Sequence, residues 1–283
     1  MNYRHAFHAG NFADVLKHAV LTLIVEHLKR KDKAFRVIDT HAGRGLYDLS
    51  SDEAQRTGEW RDGIERLIEA TPAADAAALL APYLGAVSAV NPQGGLGVYP
   101  GSPALLRQLM RPQDRLTAIE KHPDEARALK ALFAGDVHCR VIELDGWLSL
   151  GAHVPPKEKR GLVLVDPPFE QPGEFDRLAD GLARAWKRWP GGIYALWYPI
   201  KDRRAVTAFR ARLRALAIPK ILDVTLSVRP PSAEPRLDGC GMIVVNPPYT
   251  LEAECAALLP GLSRLLADDG AGGWSVTMLA GEA

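Results

Sequence analysis

Two short stretches of the chain place a polar side chain, two prolines and an aromatic ring directly after an apolar run. They are residues 166–169, Asp-Pro-Pro-Phe, and residues 246–249, Asn-Pro-Pro-Tyr. A carboxylate oxygen and the carbonyl of the next proline can together accept both hydrogens of an exocyclic amine, and proline pre-sets the loop by fixing φ. The aromatic ring offers a face on which a flipped base can stack. We interpret Asp166, Pro167 and Phe169 as catalytic residues for methylating a base amine; the alternative is a tight proline turn capped by Asp166.

A glycine-containing loop follows the first apolar run of strand character. It contains Asp39, Gly43 and Gly45, and glycines there allow a tight turn and a close approach of a ligand to the backbone. A dinucleotide fingerprint needs a third glycine three residues later, but that position is Asp48, which argues against NAD. Acid-x-x-x-Gly-x-Gly is instead the pattern of Rossmann-like S-adenosylmethionine methyltransferases.

Two further acids stand where later strands end. Glu120 follows the second strand, and a carboxylate there can accept hydrogen bonds from both ribose hydroxyls of a cofactor. Asp145 follows the third strand and is placed to accept from the adenine amine, while Gly146 leaves room for the ring. An isolated Gly-x-Gly is more often an ordinary loop. Its combination with acids at successive strand ends favours a cofactor site.

The elements that must position these residues alternate along the chain. Short, almost wholly apolar strands separated by helices predict a sheet covered on both faces. We predict an α/β protein with a Rossmann-like S-adenosylmethionine methyltransferase fold, a seven-stranded mixed sheet, helices on both faces and a small helical insertion after strand one. Residues 1–49 and 100–283 form the methyltransferase domain, which includes an N-terminal amphipathic helix at about 11–31, and residues 50–99 form the inserted helical subdomain.

Strand order decides between the two proline tetrads. In this fold strand four lies beside strand one, so Asp166 is expected to face the reactive methyl group at the carboxyl edge of the sheet. The last strand of the fold runs antiparallel between strands five and six. Asn246, which ends that strand, is therefore expected at the opposite edge, and we interpret its tetrad as a structural turn.

Composition sets outer limits on the function. The chain has 283 residues, 47% hydrophobic and 24% charged, and a formal net charge of +1, so any basic surface for a nucleic acid must be local. Three scattered cysteines, with no apolar leader and no apolar run long enough to span a bilayer, predict a cytoplasmic protein without membrane segments. We expect no metal and a monomer.

The whole chain resembles one family closely, the bacterial 23S rRNA (adenine-2030-N6) methyltransferases. The resemblance rests on "YRHAFHAGNFADVLKH", "DTHAGRGLY", "RTGE", "YPGSP", "GIYALWYP" and "CGMIVVNPP". It implies methylation of an adenine N6 in 23S rRNA with S-adenosyl-L-methionine as cofactor. The tetrad of residues 166–169 ends in Phe169, where the family commonly has tyrosine. Phenylalanine keeps the stacking face and lacks only the hydroxyl group.

The resemblance also implies roles for individual residues. Tyr3 matches a tyrosine associated with the RNA substrate, and Lys17 is a weaker cofactor candidate. The family's cofactor contacts fall on His18, His41, Ser102, Glu120, Asp145, Gly146 and Asp166. We expect Gly43 of the glycine loop to contact the cofactor as well.

The residues alone leave three of these positions open. His18 and Asp14 have the spacing of a helix-surface pair, His41 has the character of a loop histidine, and Ser102 fits the N-cap of a helix over 103–111. A metal site of His8, Asp14 and His18 is a remote alternative, because the spacing fixes no third ligand.

Two basic segments are candidates for contacts with RNA phosphates. Trp197 and Tyr198 lie near a strand end and are candidates for base stacking, although core packing is at least as good an explanation. The function alternatives are an adenine-N6 methyltransferase acting on DNA or another RNA, and a non-catalytic RNA-binding assembly factor. The basic segments contain Arg4, Lys17, Lys29, Arg30, Lys31, Lys33 and Arg36, and then Lys201, Arg203, Arg204, Arg210, Arg212 and Arg214.

Overall fold

A computed structural model of the chain describes residues 4–232 and 236–282. Tyr3 therefore lies outside the described residues. The strands are β1 (Arg36–Asp39), β2 (Leu46–Asp48), β3 (Val98–Pro100), β4 (Arg115–Glu120), β5 (Cys139–Glu143), β6 (Gly161–Val165), β7 (Ile193–Ile200), β8 (Ile221–Ser227), β9 (Gly239–Val245) and β10 (Gly273–Ala280).

Helices separate most of these strands. Short 3-10 turns occur at His5–Phe7 and Asp268–Gly270, and a π-helical turn at Arg61–Glu65 precedes the third α-helix. The α-helices are α1 (Phe12–Lys29), α2 (Asp52–Thr57), α3 (Arg66–Glu69), α4 (Ala74–Ala89), α5 (Ser102–Leu109), α6 (Pro123–Leu132), α7 (Gly146–Ala152), α8 (Glu174–Arg188), α9 (Arg203–Ala215) and α10 (Leu251–Leu266).

The main sheet has eight strands in the order β10-β8-β9-β7-β6-β1-β4-β5. The five strands from β7 to β5 in that order are mutually parallel, and β1 lies between β4 and β6. Their side chains alternate between two cores: Val37 packs with α1 and α10 on one face, and Ile38 packs with α8 and α9 on the other. Burial on both faces explains why these strands read as continuous apolar runs.

All seven strands expected from the sequence are present, and the Rossmann-like class with helices on both faces is confirmed. The expected count of seven is wrong, because β10 adds an eighth strand that pairs antiparallel with β8 at the sheet edge. Its pattern was hard to detect because an edge strand is partly exposed: Trp274 and Met278 are both exposed.

The expected direction of the last core strand is confirmed. Strand β9 lies between β7 and β8 and runs antiparallel to both. Its carboxyl end therefore emerges at the edge where β6 and β7 begin, and Asn246 and Asp166 stand at opposite edges of one sheet.

The segment between the first two predicted strands is mainly helical, with α2, α3 and α4. It is closed by a two-stranded ladder in which Leu46 pairs with Pro100 and Tyr47 with Tyr99. The two strands are three residues long and about fifty residues apart in the chain, so no local sequence pattern predicts that they pair. Leu67, Leu80 and Tyr83 share the buried core of α1. The boundary of the insertion at residues 50–99 stays a prediction. No helix in the described part of the chain is both long enough and apolar enough to cross a membrane.

Candidate active site

A cavity of about 810 Å³ opens at the carboxyl edge of β1, β4 and β6. Parallel strands deliver their carboxyl ends to one edge, so residues far apart in sequence meet there. Nine of the residues expected from the sequence to act in the site line this cavity: His41, Gly43, Ser102, Glu120, Asp145, Gly146, Asp166, Pro167 and Phe169.

Glu120 is fixed by the glycine loop. Its Oε2 accepts a hydrogen bond from the Gly43 backbone N–H at 2.9 Å, and its Oε1 accepts from the His122 N–H at 2.6 Å. Burial raises the pKa of the Glu120 carboxyl, although both backbone N–H groups oppose the change. Gly43 has φ +62°, and a Cβ there would lie 2.2 Å from the Tyr47 hydroxyl, so the position requires glycine.

Asp145 caps helix α7 at the next strand end. Its Oδ1 accepts from the Trp147 N–H at 3.0 Å, and Lys121 Nζ donates to its Oδ2 at 2.7 Å. Burial would raise the pKa of the Asp145 carboxyl, but these two donors outweigh it and lower the pKa. A Cβ on Gly146 would lie 2.1 Å from the Thr40 carbonyl, so only glycine allows the loops after β1 and β5 to meet.

Asp166 is held by helix α1. The Lys17 ammonium donates to Asp166 Oδ2 at 2.6 Å and lies 2.7 Å from Asp14 Oδ1. Burial would lower the pKa of Lys17, but the two carboxylates outweigh it and hold the pKa well above its usual range. Burial likewise opposes ionisation of Asp14, yet contacts with His5 and Lys17 keep its pKa well below the usual value. A chain of ion pairs from the buried Asp14 and Lys17 therefore reaches the half-buried Asp166, the first residue of the tetrad.

Phe169 belongs to an aromatic wall. It makes edge contacts with Phe175 at 5.1 Å and Trp197 at 5.8 Å between ring centroids, and it has φ +50°. Trp197 lines the cavity as well, which keeps it as a stacking candidate. Tyr198 is not one: it is buried in the core and its hydroxyl donates to Asp223 Oδ1 at 2.7 Å.

Ser102 does not cap its helix as the sequence alone suggested. The N-cap of α5 is Gly101, and Ser102 is already the first helical residue. Its hydroxyl donates to Asp39 Oδ2 at 2.6 Å, which joins α5 to the end of β1. Burial raises the pKa of the Asp39 carboxyl to about 7, and the nearby Asp166 charge acts in the same direction.

His18 lies outside the cavity lining. It is fully buried, its Nδ1 is hydrogen bonded to the Tyr99 hydroxyl at 2.7 Å, and its ring stacks on that of Tyr99. Its expected partner Asp14 is also buried, so the two are no helix-surface pair. Burial lowers the pKa of His18 to about 3, which keeps the ring neutral. A cofactor role for His18 stays a prediction.

His41 faces the cavity beside Gly146. Its Nδ1 is hydrogen bonded to Thr40 Oγ1 at 2.8 Å, and its ring meets the edge of Trp147 at 5.4 Å. Burial lowers the pKa of His41 to about 4, so at neutral pH it is an uncharged wall residue. No metal-binding group of three or more histidine, cysteine, aspartate or glutamate side chains occurs among residues 4–232 and 236–282.

Many cations of the two expected basic segments are engaged in ion pairs within the chain. Lys17 binds Asp14 and Asp166, Arg36 binds Glu158, Arg210 binds Asp223, and Arg212 binds Asp176 and Asp180. The spacing of Arg203, Arg210 and Arg214, seven and four residues apart, predicts one basic face on α9, and the ion pair of Arg210 interrupts that face at its middle residue. Six exposed cations of these segments form no salt bridge with a carboxylate in the described ranges: Lys31, Lys33, Lys201, Arg203, Arg204 and Arg214.

Several cavity residues escaped the sequence reasoning. Two of them had a signal in the sequence. Trp147 directly follows the Asp145-Gly146 pair, and Asp14 stands three residues before Lys17 on one helix face. Glu174 and Arg177 line the cavity as an ion pair, with the Arg177 guanidinium over the Trp147 ring. That stacking had no local signal, because the two residues belong to different helices.

The strand order and the strand-end residues together define a Rossmann-like methyltransferase. The family model described as "Ribosomal RNA large subunit methyltransferase D, RlmJ" matches residues 32–280, and the chain belongs to that family. It is 43% identical over 282 residues to ribosomal RNA large subunit methyltransferase J of Escherichia coli K12 and 41% identical over 283 residues to the Haemophilus influenzae protein of that name, with 100% of each chain covered. A crystal structure of a Legionella pneumophila protein is similar, with a TM-score of 0.87, 32% identity, and 96% and 98% of the two chains covered.

Proposed function

We propose that this methyltransferase transfers a methyl group from S-adenosylmethionine to the N6 amine of one adenine in 23S rRNA. The observation that carries the proposal is the position of residues 166–169: they follow β6 directly, beside the glycine loop that follows β1, in one cavity with Glu120 and Asp145. The choice of ribosomal RNA as substrate is supported by the names of two relatives matched over their full length, since both are ribosomal RNA large subunit methyltransferases.

The cavity fits this cofactor. Both Glu120 oxygens are anchored by backbone N–H groups and keep lone pairs for ribose hydroxyls. Gly146 brings no side chain of its own to the place next to Asp145 where an adenine ring would lie, and a Cβ there would meet the Thr40 carbonyl and the His41 ring. A volume of about 810 Å³ lies within the range of cofactor and ligand sites. When bound, S-adenosylmethionine supplies an electrophilic methyl group on a positively charged sulfur.

The tetrad makes the amine a better nucleophile. The lone pair of an adenine N6 is delocalised into the ring. Asp166 and the Pro167 carbonyl accept hydrogen bonds from the N6 hydrogens, which favours a pyramidal nitrogen whose lone pair points at the methyl group. Phe169, supported by Phe175 and Trp197, holds the flipped base by stacking.

Lys17 keeps Asp166 in place for this work. The Lys17 ammonium donates a charge-assisted hydrogen bond to Asp166 Oδ2, which fixes the carboxylate and leaves its Oδ1 to accept from the base amine. The ammonium is itself balanced by Asp14, so the chain does not leave a buried charge unpaired. The function of Lys17 is to orient Asp166, and we assign it no contact with the base.

The direct test is transfer of labelled methyl groups to protein-free 23S rRNA that lacks the modification, followed by mass-spectrometric mapping of the product. The expected product is N6-methyladenine at one position, absent with the Asp166→Ala variant. Duplex DNA and small-subunit RNA are the competing substrates. Preferred transfer to DNA would support the DNA alternative, and no transfer to any adenine would contradict the proposal.

We also infer a cytoplasmic monomer. Cys139, Cys240 and Cys255 are all free thiols, which suits a reducing compartment. Sedimentation of the purified protein at micromolar concentration tests the oligomeric state.

A further inference from the structure

A second, smaller cavity of about 250 Å³ opens at the sheet edge opposite the active site. His27, Lys31, Arg160, Gly191, Asn246 and Tyr249 are among the residues that line it, and we refer to it as the Tyr249 pocket. The two cavities stand at the two ends of β6: Gly161 lines one and Asp166 the other. From the rise of a strand, these residues lie roughly 16 Å apart.

Tyr249 is the most exposed large aromatic residue in the described part of the chain. It is 83% exposed. The ring contacts His27 edge-on at 5.2 Å, and its hydroxyl accepts a hydrogen bond from Arg30 Nη1 at 3.2 Å. These contacts orient the ring without covering it. An aromatic face presented to solvent in a fixed orientation is a platform on which a base can stack.

The two longest basic side chains that line the pocket, Arg160 and Lys31, form no salt bridge with a carboxylate of the described residues. Arg160 donates to the backbone carbonyls of Leu28 and Lys33 at the edge of the pocket, and neither contact neutralises its charge. Lys31 is exposed and has no carboxylate partner in residues 4–232 or 236–282. In contrast, the nearby Arg30 is matched by Glu254 at 3.6 Å. In a chain with a net charge of +1, two uncompensated cations beside an exposed ring form a local anion site.

His27, which lines the pocket and contacts Tyr249, has a buried Nδ1 without a hydrogen-bond partner among the described residues. Thr250 Oγ1 and Glu254 Oε2, at the start of α10, are also buried and lack one. Such atoms are uncommon in folded proteins and usually mark an ordered water or a ligand group. Burial lowers the pKa of His27, so its ring is neutral at pH 7 and keeps a nitrogen able to form a hydrogen bond. The junction of α1 and α10 therefore offers polar groups that the chain itself does not satisfy.

The tetrad at this pocket does not reproduce the chemistry of the first one. The Asn246 side-chain amide donates to the carbonyls of Pro190 and Gly192, both at 2.7 Å, and Asn246 has φ +52°. Its donors are used in fixing the loop before β7. The glycine loop and the strand-end acids are at the other edge, so the Tyr249 pocket suits binding and not methyl transfer.

We propose that the Tyr249 pocket is a second contact site for the RNA substrate, where a base of an unpaired nucleotide stacks on Tyr249 and its phosphate lies between Lys31 and Arg160. The inference rests on the proposed function, because that function makes the partner an RNA long enough to reach both ends of β6. Stacking and phosphate contacts raise affinity without reading the sequence, so this site anchors the RNA while the active site selects the adenine.

The test measures the dissociation constant for a labelled, protein-free fragment of 23S rRNA that contains the methylated region. Tyr249→Ala is expected to weaken binding roughly tenfold, whereas Tyr249→Phe, which keeps the ring, binds as the wild type does. Lys31→Ala is expected to reduce the slope of log affinity against log salt by about one. Trp274→Ala removes an exposed ring from the edge strand β10 and is the matched control, with no expected change.

Affinity for S-adenosylmethionine, measured by calorimetry, is expected to stay unchanged in all four variants. Wild-type affinity of Tyr249→Ala for the fragment would overturn the proposal, as would equal losses for Tyr249→Phe and Tyr249→Ala. The two proposals fail separately. Methyl transfer with unaltered binding by Tyr249→Ala removes only the second site, and Tyr249-dependent RNA binding without methyl transfer removes only the proposed function.

Discussion

Asp166 and Asn246 end similar stretches of sequence, yet their surroundings differ completely. Asp166 Oδ2 meets the Lys17 ammonium in the large cavity, whereas the Asn246 amide is hydrogen bonded to two backbone carbonyls. We expect Asp166→Ala to abolish methyl transfer almost entirely, because the N6 hydrogens lose their principal acceptor. Single-turnover transfer to 23S rRNA, with cofactor affinity measured in parallel, checks this.

Asn246→Ala is expected to have the opposite profile. Two lost hydrogen bonds, each contributing about 1 kcal/mol, lower the midpoint of thermal unfolding. The residue also adopts φ +52°, which alanine tolerates poorly, so Asn246→Gly is the control that relieves this strain. Both folded variants are expected to retain much of the single-turnover rate. A rate as low as that of Asp166→Ala would contradict the assignment of the two tetrads.

Among single residues, Asp39 is expected to have the clearest effect on how folding stability depends on pH. Its pKa is about 7 in the folded chain, against about 3.9 when unfolded. Between these values the folded state binds more protons than the unfolded state, so stability falls as pH rises, and the loss is complete above pH 7. Asp39→Asn cannot titrate, and the Ser102 hydroxyl can still bond to it.

We therefore compare the free energy of unfolding of Asp39→Asn with that of the wild type. The difference, variant minus wild type, is expected to increase by up to about 1.4 kcal/mol per pH unit between roughly pH 4 and pH 7. Urea unfolding of both proteins at several pH values measures this difference. Other groups, including His41, titrate in both proteins and cancel. A difference that does not change with pH would show that Asp39 is ionised throughout.

At the scale of elements, helix α1 does more than cover the sheet. Asn11 caps it by accepting from the Ala13 and Asp14 N–H groups, and this fixes the turn from which Asp14 and Lys17 project. The sequence predicted the helix from its apolar periodicity. It did not predict that a lysine inside it would be buried, because the carboxylates that stabilise the ammonium come from one position three residues away and another 149 residues away.

Lys17→Met is expected to keep the aliphatic volume and remove the charge. Loss of a charge-assisted hydrogen bond contributing about 1.5–3 kcal/mol predicts a fall in the transfer rate of roughly ten- to hundredfold. Cofactor affinity is expected to change little, since Glu120 and Asp145 are untouched. Asp14→Asn/Lys17→Met removes one carboxylate with the ammonium and tests whether uncompensated buried charge causes part of the loss. An unchanged rate for Lys17→Met would contradict the positioning role.

Over the whole molecule, many charged side chains of the described ranges are paired within the chain, and we propose that exposed cations without such a pair contact the RNA. Arg203 is exposed at the start of α9, close to the cavity residue Lys201, whereas Arg212 on the same helix hydrogen bonds to Asp180 at 2.8 Å. We expect Arg203→Ala to weaken RNA binding and to reduce the salt slope by about one. Arg212→Ala is the matched control and is expected to leave the slope unchanged. Equal effects on the slope would show that the internal ion pairs do not select the RNA surface.

The sequence by itself determined the class of fold and predicted several of the residues that line the candidate site. Continuous apolar runs predicted seven of the eight strands of the main sheet, because burial on both faces imposes that pattern locally. Gly43, Glu120, Asp145 and Asp166 were predicted because each lies at the carboxyl end of a strand or in the loop that follows it. Parallel strands bring such positions to one edge whatever lies between them.

Only the tertiary structure decided what depends on contacts between distant segments. The bond from Ser102 to Asp39, the burial of His18 against Tyr99 and the ammonium of Lys17 beside Asp166 each join two elements far apart in the chain. The tertiary structure likewise decided that β10 pairs at the sheet edge and which arginines form ion pairs within the chain. A residue's type and its neighbours in sequence do not fix its burial or its partner, because both depend on how the helices pack on the sheet.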